Sequence, residues 1–432
     1  MDFPKCLIIS HNVIGLDGNM GKTLHAYFSM WPQDKLCQLY FHSEIPTTTL
    51  CRQYFRITDV DMVRGLFSFK RPGKELRMEE IDTQAITTRV DTGRVAELYQ
   101  KGRQRKPWMY LARNTLWGLG LWKSKQLDEW IKSCKPEVIF YASGDYTFSF
   151  KIAQHISRKY QIPLVTSIVD DYYFHRKNNI GLLAKWNTWR FRKTMEETVK
   201  QSSHMLYIHP AMQRKYEENF LVNGAVLHSN APIYDNPDPV DDVVRISYLG
   251  NLGYNRHLAL KEIGQAIRRL VPDGSVLLDV YSSEPRQEIL KHLTEENGIR
   301  FQGQISFDEV QQVIKDSNIL VMAEYSDPEI QEQIRYSLST KVSECLGSGR
   351  CLLAYGPAEA GSISYLLENK AGCVATNPQE LEDKLTEIIF SPEARATYAK
   401  GQRELALRNH TPERNHNILY HALRTAVDET QR

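Results

Sequence analysis

Residues 336–357 read YSLSTKVSECLGSGRCLLAYGP, and the fold of the chain turns on how that stretch divides. Ser339 and Thr340 are residue types that start helices, because a side-chain oxygen there meets backbone amides with no partner inside the helix. Val342, Cys345 and Leu346 follow at helical spacing, Gly347-Ser348-Gly349 ends the helix, and CLLAY (351–355) is apolar on both faces. A helix running through a glycine break into a wholly apolar strand is part of a βαβ unit, its strand buried in a parallel sheet.

The same rhythm extends through the rest of the chain. CLIIS (6–10), LCQLYF (36–41), EVIFYA (137–142), PLVTSIV (163–169) and HMLYI (204–208) precede it. RISYLG (245–250), SVLLDVY (275–281) and NILVMA (318–323) continue it. Stretches of helical spacing such as Leu258, Leu260, Ile263, Ile267 and Leu270 lie between them. The 432 residues suit two cores of about 200 residues better than one. SNAPIYDNPDPVDD (229–242), with three prolines and four aspartates, reads as the linker. The expectation is an α/β protein of two doubly wound, Rossmann-like domains, 1–235 and 236–408. The tail 409–432 is a helix that folds back toward the first domain, after a break near Thr411-Pro412. In such folds ligands bind at the carboxyl ends of the strands, so a cleft between facing domains is the expected site.

Composition excludes several classes. Seven scattered cysteines, with no C-x-x-C pair, argue against a disulfide framework or zinc knuckle and suit a reducing cytoplasm. The start, MDFPKCLIISHN, reads as a first strand and not a signal peptide, and no run is apolar enough to span a membrane. The net charge of +2 conceals 33 basic against 24 acidic residues over 1–240, and 21 against 28 over 241–432. Tryptophans and basic residues interleave at 101–125 and 181–193. Trp108, Trp117, Trp122, Trp186 and Trp189 suit headgroup depth, with Arg103, Arg105, Lys106, Arg190, Arg192 and Lys193 facing anionic lipid. An anionic membrane surface is thus an expected partner, which would put the protein on the inner face of the membrane; a solvated helix face with aromatics packed beneath is the alternative. Nucleic acid is not expected, since no binding module accompanies the basic residues.

Three loops carry candidate chemistry. At the helix starting near Ser339 and Thr340, unsatisfied amides, the helix dipole and Lys341 favour an anion. Glu344, about one turn on, suits the two hydroxyls of a ribose. In ISYLGNLGYNRHLAL (246–260), Gly250 and Gly253 follow a strand, and Arg256 can aim at a diphosphate. In HNVIGLDGNMGKT (11–23), the spacing fails the triphosphate P-loop, because Leu16 stands five before Gly21. What remains is a glycine-rich turn whose amides approach a phosphate.

With these residues the second half resembles the C-terminal domain of GT-B glycosyltransferases, in particular the retaining family 4 group that uses nucleotide-sugars. The resemblance rests on ISYLGNLGYNR (246–256), NILVMAEY (318–325) and STKVSECLGSGRCLLAYGP (339–357) and extends over nearly the whole chain. It implies that Gly18, Asn19 and Gly21 abut the donor diphosphate, that Gly250 and Asn251 belong to the donor site, and that FQGQI, with Gly303 and Ile305, lies near the nucleobase. It also implies a C-terminal helix crossing back to the first domain. Three positions depart from the family: Tyr336 where a first glutamate precedes Glu344, Asn251 in place of an arginine, and Asp170 and Asp171 where relatives carry a histidine. Either aspartate is a candidate for orienting an acceptor hydroxyl, with a loop or cap role as the alternative.

Departure of a diphosphate builds negative charge, which fixed donors must meet. Ser339, Thr340, Lys341, Arg256 and the loop at Gly18–Gly21 are the candidates, and no metal or other cofactor is expected. The resemblance implies a retaining transfer from a uridine diphosphate sugar to a glycan or lipid-linked acceptor in bacterial surface polysaccharide synthesis. A sugar-nucleotide epimerase and a catalytically silent binding protein remain as alternatives.

Overall fold

Each of the nine apolar runs forms a strand buried in one of two sheets. The computed structural model describes residues 2–16, 19–68, 71–76, 81, 107–174, 181–234 and 243–430. The chain divides into unit 1, Met1–His228 with Asn415–Arg432, and unit 2, Ser229–Arg414.

In unit 1 the strands are β1 (Cys6–Ser10), β2 (Leu36–Tyr40), β3 (Gln53–Arg56), β4 (Lys74–Leu76), β5 (Val138–Ala142), β6 (Leu164–Ile168), β7 (Ser202–Tyr207) and β8 (Gly224–Val226). Their order is β4-β3-β2-β1-β5-β6-β7-β8, parallel except for the edge strand β4. The order reverses between β1 and β5, the place where a doubly wound sheet opens a crevice at its carboxyl edge. β1, β2, β5 and β6 are buried at every residue, which requires helices over both faces. One core joins Ile8, Phe28, Trp31 and Phe140 to Leu419, Leu423, Ala426 and Val427 of the terminal helix Pro412–Thr430.

Unit 2 is wholly parallel: β9 (Ile246–Leu249), β10 (Leu278–Tyr281), β11 (Ile299–Gly303), β12 (Ile319–Ala323), β13 (Cys351–Tyr355) and β14 (Cys373–Ala375), in the order β11-β10-β9-β12-β13-β14. Its reversal lies between β9 and β12. Close packing at one point demands a glycine: a Cβ at Gly264, on the helix Arg256–Leu270, would collide with the Asn297 carbonyl and with Ile299.

The tail breaks as expected, into helices Pro392–Asn409 and Pro412–Thr430, with His410 between them. The His410 ring is fully buried. Its Nδ1 lies 2.9 Å from the Ser229 carbonyl, and its Nε2 lies 2.9 Å from the Tyr365 hydroxyl. Because a carbonyl only accepts, Nδ1 carries a proton, and burial disfavours a second one on Nε2, so the ring is neutral.

The structure corrects part of the surface reading of the aromatic stretches. Trp117 and Trp122 are core residues: Trp117 stacks on Phe148 at 4.1 Å and donates its Nε1–H to Asp59 at 2.7 Å. Trp122 donates to the Trp117 carbonyl at 3.2 Å. A buried indole needs a partner for its N–H, and both find one. Trp108, Trp186 and Trp189 are exposed. Arg103, Arg105 and Lys106 lie outside the described residues. All seven cysteines are free thiols, and among the described residues no helix is long and apolar enough to cross a membrane.

Burial pushes His410 down to about 4 from an ordinary value of 6.5. The unfolded chain therefore takes up this proton first, so the stabilisation is present above about pH 6.5 and is lost as pH falls toward 4. The stability gap between wild type and His410→Gln should narrow by up to about 3 kcal/mol between pH 7 and pH 4. Denaturant unfolding at several pH values measures it, and a constant gap would contradict this assignment.

Candidate active site

The carboxyl edge of unit 2, at the reversal between β9 and β12, collects most of the candidate residues of that unit. β9 ends at Leu249, and the loop after it begins with Gly250 at a positive φ of +150°. A Cβ there would collide with the Lys341 side chain, so glycine is what lets that amine lie against the loop. The Lys341 ammonium sits 4.8 Å from the centre of the Tyr248 ring, a cation–π contact. The Tyr248 hydroxyl donates to the Asn251 carbonyl at 2.6 Å, which fixes the loop.

Arg256 opens the helix Arg256–Leu270 after two left-handed residues, Tyr254 and Asn255. Its guanidinium forms a two-pronged pair with Glu324, Nε to Oε2 at 3.1 Å and Nη2 to Oε1 at 2.9 Å. Its Nη1 donates to Asn251 Oδ1 at 3.0 Å, an oxygen that also accepts from the Gly253 amide. Asn251 thus orients Arg256. Glu324 follows β12 and is 3% exposed, so the pair joins the loops on either side of the reversal. Sequence reading missed Glu324; its signal is a lone carboxylate straight after the apolar run NILVMA.

Ser339 is the N-cap of helix Thr340–Gly347, yet its hydroxyl makes no cap bond, while its own amide donates to Ser362 Oγ at 3.1 Å. The first-turn amides are therefore not satisfied by the residue type best suited to do so. Burial, then the charge of Arg256, pushes Lys341 down to about 8. Glu344, half-buried one turn further on, opposes that shift. A desolvated amine, an arginine and a helix start lie along one edge, an arrangement whose chemistry favours an anion.

Other candidates lie apart. Gly303 ends β11 at φ +77° with open space where a Cβ would stand, and Ile305 precedes the capping box of Ser306 and Glu309. Two strand spacings separate β11 from β9, about 10 Å along the same edge. In unit 1, Gly18 lies outside the described residues, and Asn19 begins the helix Asn19–Phe28. Gly21 is packed so that a Cβ would meet the Val13 carbonyl at 2.8 Å. Asp170 is exposed and accepts from the Tyr172 hydroxyl at 3.1 Å. Asp171 is buried, its Oδ1 accepting from the amides of Tyr173 and Phe174, both at 3.0 Å, which is a loop-capping role.

Unit 1 holds a second constellation that the sequence reading did not single out. It lies at the reversal between β1 and β5. His11, directly after β1, has its ring 4.5 Å from that of Tyr146 and 5.4 Å from that of His42. His42 Nδ1 lies 3.3 Å from Glu44, which also accepts from Asn12 and from the Val13 amide. Burial works against the Glu44 charge, but His42 and these donors hold its carboxyl below the usual range. The Arg113 guanidinium lies 4.2 Å from the Tyr146 ring centre and pairs with Asp59. The signal was positional: each histidine directly follows an apolar run.

A family model described as glycosyl transferase-like matches residues 249–419, which spans this edge of unit 2. None of the curated proteins matches the sequence. Among solved structures, the chain is similar to sucrose-phosphate synthase from Thermosynechococcus elongatus, with a TM-score of 0.63 and 11% identity, covering 98% of this chain and 100% of that one. It is similar to HepE of Anabaena, solved in complex with UDP and glucose, with a TM-score of 0.62 and 12% identity over 97% and 99% of the two chains. It is also similar to α,α-trehalose 6-phosphate synthase from Burkholderia multivorans, with a TM-score of 0.59 and 11% identity over 99% of each chain. At such identities these matches establish the fold, two Rossmann-like units of the GT-B type.

Removing one partner of a buried ion pair leaves the other charge without compensation. Arg256→Ala should therefore destabilise unit 2 by about 3 kcal/mol or more. The double variant Arg256→Ala/Glu324→Ala should be more stable than the Arg256→Ala single variant. Chemical denaturation of the four proteins in the cycle measures the coupling, and additive effects would remove the pair from the account.

Proposed function

We propose that the protein is a glycosyltransferase that moves a sugar from a nucleoside diphosphate sugar, with unit 2 holding the donor. The observation that carries this reading is the desolvated Lys341 amine held over Tyr248 and Gly250 at the start of helix Thr340–Gly347. The likeness of residues 249–419 to the glycosyl transferase-like family supports it, as do UDP and glucose in the HepE structure.

In this reading the diphosphate lies against Lys341, the Gly250 loop and the amides after Ser339 and Thr340. Arg256, fixed by Glu324 and Asn251, adds a cation whose position is set before the donor arrives. Glu344 receives the ribose hydroxyls, and Gly303 and Ile305 border the base, for which uracil is the proposed identity. Charge that develops on the departing diphosphate meets donors already in place, so no solvent reorganisation is needed and no metal is invoked. Unit 1 would hold the acceptor, a glycan or lipid-linked sugar of a surface polysaccharide, with Asp170 as the exposed carboxylate able to orient a hydroxyl. We take the transfer to be retaining, in the manner of family 4.

A panel of nucleoside diphosphate sugars tests this directly. Slow release of free nucleoside diphosphate supports transfer, an altered sugar on an intact nucleotide supports epimerisation, and binding without turnover supports a silent binding protein. The anomeric signal of the product reports retention. Two further outcomes are expected with UDP. Glu344→Ala should weaken binding by about 1–3 kcal/mol through lost hydrogen bonds, measured by calorimetry. Because a bound diphosphate raises the Lys341 pKa from about 8, affinity should be level from about pH 7, where the terminal phosphate of UDP is fully ionised, up to about pH 8 and fall above it, with proton uptake on binding near pH 8. Lys341→Gln should abolish that pH dependence, and a wild-type profile in this variant would exclude the residue.

A further inference from the structure

The helix Leu182–Gln201 presents two faces of opposite character. Ala184, Phe191, Met195 and Val199 are buried on one side. On the other, Leu182, Trp186, Trp189 and Lys193 follow one another at spacings of four, three and four and so share a stripe. Leu182 is 87% exposed, Trp186 42% and Trp189 57%. At 100° per residue, Lys185 and Arg192 border this stripe on one side and Arg190 on the other. The Arg190 guanidinium lies 4.7 Å from the Trp186 ring centre, and the Lys193 ammonium lies 5.5 Å from that of Trp189. No aspartate or glutamate occurs between Gly181 and Met195; the first carboxylates on the helix are Glu196 and Glu197.

We propose that the first three turns of this helix form a docking surface for an anionic lipid bilayer, the helix lying along the headgroup layer. The occupant follows from the chemistry. A rim of cations without counter-charge on its own segment calls for a surface of fixed negative charge. Indoles between those cations favour a boundary that is apolar below and wet above. Were the tryptophans core residues they would be enclosed and hydrogen-bonded, as Trp117 and Trp122 are. A protein partner would more readily use a face with polar groups of both signs, which is absent here between Leu182 and Met195. The helix Pro107–Gly118 packs against this one and also exposes an indole, Trp108. The inference is independent of the donor-site reading, since it rests on unit 1 alone.

The test is flotation of the full chain with vesicles of phosphatidylcholine, with and without phosphatidylglycerol, at low and high salt. The chain should float with the anionic vesicles at low salt, stay behind with the neutral ones, and be released as salt rises. Trp186→Ala/Trp189→Ala should lower the bound fraction about tenfold with an unchanged melting temperature, because both side chains are exposed. Arg190→Gln/Lys193→Gln should lower the salt concentration at which release occurs. Failure to float on anionic vesicles at low salt, equal flotation on neutral vesicles, or wild-type binding by both double variants would overturn the proposal. So would an oligonucleotide that binds while the vesicles do not, which would reassign the face to nucleic acid.

Discussion

The buried pair of Arg256 and Glu324 is the constraint on which unit 2 depends. It spans the point where the strand order reverses, tying the loop after β9 to the loop after β12. An ion pair in such a place gains little net stability, because taking both charges out of water costs several kcal/mol per ion. What it gives is position. With both prongs engaged and Asn251 holding the third nitrogen, the guanidinium has one orientation. Its field is then fixed, and a measurable result is the depressed pKa of Lys341, which feels burial first and Arg256 second. One cation is thus fixed in place by its ion pair, and the second is packed on the Tyr248 ring.

Much of this was legible in the sequence, and the omissions have physical reasons. All nine long apolar runs are strands because a strand buried on both faces must be apolar throughout. The missed strands are those whose setting removes that signal. QYFR in β3 and IRFQG in β11 mix polar residues among apolar ones, β4 lies at an edge, and β8 and β14 are only three residues long. The helix start at Ser339 and the break before Pro412 were local events, and local chemistry exposed them. Glu324 was not local: its partner lies 68 residues earlier, and nothing in NILVMAEY says where that carboxylate turns. Trp117 and Trp122 failed for a related reason. Beside basic residues an indole reads as interfacial, and only the fold supplies Asp59 and a carbonyl to receive its N–H.

The loop after β9 divides its tasks between neighbouring residues. Asn251 accepts from Arg256 and from the Gly253 amide, so it supports a neighbouring cation instead of providing one. Gly250 has the more exacting task. Its φ of +150° and the crowding by Lys341 both exclude a side chain, so the loop and the amine occupy the space together. Unit 1 repeats the plan with different chemistry. The residue after its first strand is His11, set among aromatic rings and close to Glu44 by way of His42. A titratable, partly aromatic edge in one unit and a cationic edge in the other suit ligands of different kinds.

The segregation of charge sharpens that contrast. Residues 241–432 carry 21 basic and 28 acidic side chains, so the long-range field of the second half repels an anion. Charges more than about 8–10 Å apart are screened at ordinary ionic strength, which limits that repulsion and equally limits any steering. A diphosphate held there must therefore be held by contacts within a few ångströms: the amine on Tyr248, the amides of one helix turn and a glycine loop with no side chain in the way.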